Sequence, residues 1–512
     1  MSDNTEYPTT VQASVMRSLL KHHLTHIYLL LLLVVSAAVY VTGYGQPNAL
    51  FWDENYHIAS AEKYIDGVMY MEPHPPLGKL LMAASEQLLG ANADKDKSKF
   101  THTDYVRDND MPDGGISYYG FRLPSTVLMA LSVLFMFGII RRTSKNPHIA
   151  LAFCCFLIFD NALVIHARSA MLEGIQLFFI LAAIYYTVRI VTTKPRITLT
   201  QYALLGTLIG LAVAVKINAL VLLLLFVLVY GVDQWQAIKT FNIAALLKRL
   251  ATTVPSGVVP LGVSFLAVFY IHIGLGQTIS PHKNYSASSE YQQLIKDGRS
   301  WAPSTFFVAL QDNLKYMSNY ADGVPRLDVC KAGENGSAAI GWPLASKTIN
   351  YRWSKRTVDD TTYVRYHNLV ANPVVWFGVL AGIILSIGLI ISRFIYNNPV
   401  KDTALFYWIC GFTSLYVSYM VAILQIERVM YMYHYLVPLV FGIINLALVF
   451  SYIFREQLLA SSRHTYINLG VLVAFTIGVF YVFAPFTYSW ELTEAQFEIR
   501  DWFDYWKLQV VR

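Results

Sequence analysis

Asp53 and Glu54 form an acidic pair just beyond the first long apolar run, and His74-Pro75-Pro76-Leu77-Gly78-Lys79 follows in the same connecting segment. A carboxylate can take the proton of a hydroxyl as it attacks an anomeric carbon. Cations beside it can hold the charge that develops on a departing phosphate. An acidic pair at a membrane surface, followed by a proline-capped helix start with basic groups, therefore suits chemistry on a lipid-linked phosphate. Successive helical residues point about 100° apart, so the two carboxylates should not share one role. Asp53 is assigned the base, and Glu54 the positioning of the acceptor or of neighbouring cations. The same pair would also serve as an ordinary helix cap.

The rest of the chain must place that pair at a membrane. Of 512 residues, 55% are hydrophobic and only 14% charged, against roughly a quarter charged in soluble domains. Several runs reach the ~20 apolar residues that cross a bilayer. The composition gives an all-α polytopic membrane protein. The net charge of +6 is spread in short clusters between apolar runs, which is the pattern of membrane orientation and not of a nucleic-acid footprint. Cys154, Cys155 and Cys410 fall in apolar runs and Cys330 in a loop, with neither a disulfide framework nor metal-ligand spacing.

Eleven spans are expected, starting near residues 26, 121, 147, 171, 200, 218, 254, 372, 403, 430 and 466. The first is read as a retained signal-anchor. Short basic connections then fall on one side: Arg17 and Lys21; Arg141, Arg142 and Lys145; Arg189, Lys194 and Arg196; Lys239, Lys248 and Arg249; Arg393 and Lys401; Arg455 and Arg463. That side is the cytoplasm. The divisions expected are a cytoplasmic N-terminus (1–25), an N-terminal membrane module (26–273) with a catalytic first outer loop (45–120), a large outer loop (274–371), a C-terminal membrane module (372–485) and an outer tail (486–512). Both large outer loops should contain interfacial helices; Leu77, Leu80, Leu81, Ala84 and Leu88 make one apolar stripe after the double proline.

This topology collects ionisable residues at one level of the outer face. Arg122 closes the first outer loop; Arg168 and Glu173 flank the next outer turn; Lys216 lies at the one after; Glu427, Arg428 and His434 lie at the last. Such residues at membrane depth are functional candidates by default. His74, Lys79, Arg122, Arg168, Lys216, Arg428 and His434 are assigned to the donor phosphate and sugar, with Glu173, Glu427, Asp160 and Trp342 in support. Lys79, Arg122 and Lys216 could instead snorkel to the interface, and Arg168 and Glu173 could pair with each other.

The residues in order resemble a known family, the protein O-mannosyltransferases. The resemblance rests on Trp52-Asp53-Glu54, the His74–Lys79 motif, Phe121-Arg122-Leu123-Pro124 and Phe159-Asp160-Asn161-Ala162-Leu163-Val164 with Arg168. It continues through Gly341-Trp342-Pro343-Leu344, Tyr351-Arg352-Trp353 and Arg428 to Tyr435. It implies a GT-C glycosyltransferase architecture of eleven spans. It also implies transfer of mannose, with inversion, from a polyprenyl phosphate to Ser or Thr of an exported protein, without a metal or other cofactor. Three departures from the family pattern stand out. Glu173 takes the place of the usual Asp, Lys216-Ile217-Asn218 replaces a Lys-Trp pattern, and the large outer loop is too short for a β-trefoil insertion. The last points to a bacterial type, in the inner membrane with its site facing the periplasm.

Two other readings compete. The same donor chemistry could act on a lipid or glycan acceptor, as in lipid A or arabinan transferases. A transporter could use the outer cluster to bind a polar substrate, but such proteins often show inverted repeats and broken central spans; the sequence is read as having neither, and its charges sit at one interface and not at the midplane.

Overall fold

The computed structural model describes residues 10–193, 196–331 and 333–511, apart from the side chains of 10–22 and of Ala321. Lys194 and the side chains of Arg17 and Lys21, used above for orientation, lie outside the described residues, as do residues 1–9 of the expected N-terminal segment. The chain is a helical membrane bundle. Its long helices are α1 (Thr10–Val41), with α2 (Glu54–Ile65) and α3 (Leu77–Leu89) in the first outer loop, then α4 (Tyr119–Ser144). Next come α5 (Pro147–Ile158), α6 (Asn161–Ala167), α7 (Glu173–Thr193), α8 (Leu199–Val213), α9 (Leu224–Asp233) and α10 (Ile243–Leu275). The large outer segment carries α11 (Ser289–Lys296) and α12 (Pro303–Gly323), and α13 (Pro373–Phe394), α14 (Thr403–Leu424), α15 (Leu436–Ile453) and α16 (Arg463–Tyr488) complete the bundle.

Among the described residues eight helices are long and apolar enough to cross a bilayer. The count becomes nine if α5 and α6, bent by 62° at Asp160, make one broken span. Two shorter apolar helices, Leu199–Val213 and Ile217–Asp233, occupy the positions of the fifth and sixth expected spans. The second of these begins as a 3-10 stretch, Ile217–Leu223, directly after Lys216. α8 packs on α10 at very close range: a Cβ at Gly206 would sit 2.0 Å from the Gly257 carbonyl oxygen. Small residues let helices approach in lipid, where apolar burial gives little drive for association.

The outer segments hold more than interfacial helices. Val68–Met69 (β1) pairs in parallel with Thr278–Ile279 (β2), tying the first outer loop to the large one. Lys63 donates to Asp104 at 2.7 Å and to Tyr285 at 2.6 Å, and His272 bridges Tyr64 and Asn313, so the two loops form one body. Ile349–Val358 (β3) and Thr361–Leu369 (β4) form an antiparallel hairpin, extended by Glu491–Leu492 (β5) in the order β3-β4-β5. The hairpin turns on Asp359 and Asp360, both with positive φ, as a two-residue turn with the right twist requires. The outer tail packs Phe497 and Trp506 against Val364, Tyr366, Phe483 and Phe486, and the Trp506 carbonyl accepts from the Thr348 N–H at 3.0 Å. This small sheet is absent from the hydropathy reading, because its strands lie outside the membrane and carry polar residues at many positions.

Candidate functional site

Trp52 has a left-handed φ of 51°, a costly backbone for a bulky residue and one that functional sites often hold. It turns the chain into α2. Asp53 occupies the N-cap position, but its side chain makes no capping hydrogen bond, so the ordinary role of such a residue does not account for it. Its carboxylate instead accepts from the Tyr433 hydroxyl at 3.2 Å. Burial raises the Asp53 carboxyl above its ordinary range; Lys216 and His166 pull it back, while Glu173 pushes it up.

Behind Tyr433 lies a chain of polar contacts. The His166 ring stacks on Tyr433 at 4.8 Å between centroids. Its Nε2 meets Glu173 at 2.7 Å, and its Nδ1 meets the Tyr351 hydroxyl at 2.7 Å. Glu173 also pairs with Lys216, whose ammonium lies 5.3 Å from the centre of the Tyr433 ring. One carboxylate at the start of α7 thus joins α6 to the α8–α9 turn. Trp52 packs against Tyr351 at 5.3 Å, Tyr431 at 5.1 Å and Tyr433 at 6.4 Å, making an aromatic wall beside Asp53.

The basic side chains gather beside this wall. His74 feels Lys216, Glu173 and Arg428, and burial together with Lys216 lowers its imidazole to about 3, which leaves it neutral at physiological pH. Arg428 is half-buried, with no hydrogen-bond or ion-pair partner for its guanidinium among the described residues. His434 places Nδ1 3.0 Å from the Tyr431 carbonyl, to which it donates, and its ring lies parallel to buried Trp342, 6.1 Å away. Trp342 is held by its own N–H, donated to Ser337 at 2.9 Å. The helix α3 is seated by the Leu77 N–H on the Ala214 carbonyl, 3.0 Å. Gly78 allows that approach, since a Cβ there would lie 2.5 Å from Leu172. The stripe of Leu77, Leu80, Leu81, Ala84 and Leu88 forms the less buried face of α3, while Gly78, Lys79, Met82, Ala83 and Glu86 face inward.

Six expected assignments need correction. Arg122 cannot serve the donor phosphate: it is fully buried, bound to both oxygens of Glu54 and to carbonyls of Tyr44, Gly45, Pro47 and Ala49. Glu54 takes only one of the two roles expected of it: it positions a neighbouring cation, Arg122, and accepts from the Ala170 N–H at 2.8 Å, so it orders the loop and is not left to position the acceptor. Arg168 neither pairs with Glu173 nor joins the cluster; its guanidinium lies 4.3 Å from the Tyr488 ring centre and donates to Thr42. Lys79 is buried and turned inward onto Glu72, so its charge is already paired and it neither snorkels nor stands free for the donor phosphate. Glu427 is an exposed partner of Arg326. Asp160 caps α6 and accepts from Trp376 at 2.9 Å and from the Asn372 N–H at 3.2 Å, joining helices. The sequence reading missed His166, Tyr351 and Tyr433 as parts of the site. The signal for His166 was present, since it is an ionisable residue within an apolar run.

The arrangement is one carboxylate, uncommitted to capping, beside an aromatic wall and a group of basic side chains at the same end of the bundle. Among the described residues no three His, Cys, Asp or Glu side chains converge as metal ligands.

Residues 30–275 match the family model of dolichyl-phosphate-mannose-protein mannosyltransferase, and residues 316–506 match that of the C-terminal four-span region of protein O-mannosyltransferase. Protein O-mannosyl-transferase 2 of Drosophila melanogaster is 26% identical over 264 residues, 49% of this chain and 32% of the fly protein. Dolichyl-phosphate-mannose–protein mannosyltransferase 1 of Saccharomyces cerevisiae is 30% identical over 155 residues, 30% of this chain and 18% of the yeast protein. The chain thus spans about a third or less of the length of these two curated relatives. The solved Saccharomyces cerevisiae Pmt1–Pmt2 complex, bound to the sugar donor, shares the fold with a TM-score of 0.78 at 16% identity, over 94% of this chain and 93% of that one. With both family models in register along most of its length, the chain belongs to the protein O-mannosyltransferase family.

Proposed function

We propose that this protein transfers a mannose-type sugar from a polyprenyl-phosphate donor to Ser or Thr hydroxyls of exported proteins. The observation that carries the reading is Asp53: a carboxylate free of helix capping, held by Tyr433 and acted on by Lys216, with His74 and Arg428 grouped around that same Lys216 and Glu173. The acceptor oxygen attacks the anomeric carbon as its proton passes to Asp53. The bond from that carbon to the phosphate oxygen breaks on the opposite face, so the configuration inverts. The departing phosphodiester becomes a monoester with one more negative charge, which Arg428 and Lys216 offset. His74 and His434 lie beside it and orient the phosphate and sugar. The reading assigns this neutralisation to side chains, without a metal or other cofactor.

The reading further sets the site on the periplasmic face of a bacterial inner membrane. It is supported by short basic connections such as Arg141, Arg142, Arg393 and Arg455 at the ends of spans remote from Asp53, the pattern of cytoplasmic connections. Within the outer segment between α10 and α13, two helices and a hairpin are the main elements.

The experiment offers purified full-length protein a polyprenyl-phosphate [³H]mannose donor with either a Ser/Thr-rich peptide or a membrane lipid extract. Label on the peptide supports the reading. Label confined to lipid would keep the donor chemistry and replace the acceptor. No label on either would overturn the transferase reading for this sugar.

A further inference from the structure

Strand β3 starts inside the candidate site and ends in solvent. Tyr351, near its beginning, contacts His166 and Trp52, and Arg352 donates to the Leu50 carbonyl at 2.8 Å. From Trp353 to Val358 every residue is exposed. The register runs from Val358 opposite Thr361, through Arg356 opposite Tyr363, to Arg352 opposite His367. In a two-residue hairpin the residues flanking the turn exchange both backbone bonds, and the pattern alternates from there. Val358, Arg356, Ser354 and Arg352 therefore bond inward to β4. Trp353, Lys355 and Thr357 point their N–H and C=O groups outward, where no partner meets them among the described residues. β4 is paired on its other side with β5 at Val364 and Arg365, whereas β3 has no strand on its outer side among the described residues and is an open edge.

An open edge with unpaired backbone groups is a template for another strand. We propose that this edge binds the acceptor polypeptide as an added β-strand, delivering a Ser or Thr at its end to Asp53; the inference rests on the protein-acceptor reading above. Three observations select this occupant. First, the edge is continuous with the site: Trp353 lies two residues, roughly 7 Å along a strand, beyond Tyr351. Second, a hydroxyl must reach a carboxylate set between Trp52 and Tyr433, which an extended chain does more readily than a helix or a folded surface. Third, Lys355 and Arg356 are exposed along β3, so a second copy of the strand would face like charge, whereas a neutral Ser/Thr-rich segment would not. The tail and β5 hold the hairpin from the far side through Glu491, which pairs with Arg356 and Arg365.

Added strands alternate: every second N–H of the guest bonds to the edge and the intervening ones face away. The test is an N-methyl scan of an acceptor peptide with a single Thr, using full-length protein in lipid nanodiscs with polyprenyl-phosphate mannose. Methylation at alternate positions on one side of the Thr should raise KM about 5-fold each, the size of one hydrogen bond, with kcat unchanged and intervening positions neutral. On the protein, Lys355→Pro removes an outward N–H but no bond to β4, and should raise the peptide KM by a similar factor. Lys355→Ala keeps that N–H and should leave the KM near wild type. A scan without alternation, or Pro and Ala variants with equal KM, would overturn the edge while leaving the transferase reading intact. Failure of the unmethylated peptide to accept sugar would remove that reading, and the edge with it.

Discussion

Glu54 and Arg122, 68 residues apart, meet in a two-bond pair of 2.7 and 2.8 Å with neither side chain exposed. The neighbouring acidic residue, Asp53, makes no ion pair among the described residues, and its carboxylate accepts there only from a tyrosine hydroxyl. Adjacent carboxylates have thus been given separate work, one to hold the loop and one to face the aromatic wall.

Breaking the Glu54–Arg122 pair should loosen the first outer loop, and with it the placement of Asp53, so the loss of activity should follow the loss of stability. Removing one partner of a buried ion pair costs about 3–5 kcal/mol, and Arg122 also satisfies four carbonyls. Arg122→Ala and Arg122→Lys should both lower the thermal unfolding midpoint in detergent, Lys because a single ammonium cannot replace the guanidinium fork. An Arg122→Ala protein with wild-type melting and a raised donor KM would contradict this assignment.

Tyr433 bears on the pH dependence. Asp53 acts as a base only when ionised, so activity should fall as pH drops through its raised pKa. The Tyr433 hydrogen bond lowers that pKa. Tyr433→Phe, which keeps the ring stack on His166, should therefore shift the acidic limb of kcat/KM to higher pH. An unmoved limb would remove Tyr433 from the control of Asp53.

Glu173 reaches His166 and Lys216 at once, which the one-carbon-shorter Asp would be hard pressed to do. A lost charged hydrogen bond is worth about 1.5–3 kcal/mol, so Glu173→Asp should lower kcat/KM by roughly 10- to 100-fold. Glu173→Gln keeps the length but not the charge; it should leave Lys216 uncompensated and tighten donor binding while slowing turnover. Initial rates and donor titrations on the three proteins check both statements.

Arg428 should matter to the donor more than any other cation of the group, since its guanidinium has no ion-pair partner among the described residues. Arg428→Ala should raise the donor KM by about 10-fold or more, in line with a charge-assisted contact to phosphate. An unchanged donor KM would take Arg428 out of the phosphate site.

Much of this was legible in the sequence, and the exceptions share a cause. Helices stand at the expected span positions because hydropathy is a local property, although among the described residues only eight, or nine with the bent pair, are long and apolar enough to cross a bilayer. Asp53, His74, Lys216, Arg428 and His434 come together because span parity alone puts them at one end. The commitments of Arg122, Arg168, Lys79 and Glu427 were not legible. Residue type gives a charge, but whether a distant side chain has already neutralised it depends on packing: Glu54 for Arg122, Glu72 for Lys79, Arg326 for Glu427. The β3–β4 hairpin was missed because Asp359-Asp360 is a weak turn signal and its strands lie outside any apolar run. His166 was passed over within a run otherwise read as membrane core.

The central claim is that Asp53 accepts the acceptor's proton, and Asp53→Asn tests it most directly. The variant keeps the size of the side chain and its bond to Tyr433 but cannot act as a base. Burial raises the native carboxyl's pKa, so its ionised form weakens the fold above that pKa and its protonated form does not. The variant should therefore melt no lower than wild type at neutral pH, and it should still bind donor. With [³H]mannose transfer to peptide as the readout, the rate should fall at least about 100-fold, the range of general-base catalysis. A folded Asp53→Asn protein that transfers sugar within a few-fold of wild type would contradict the account.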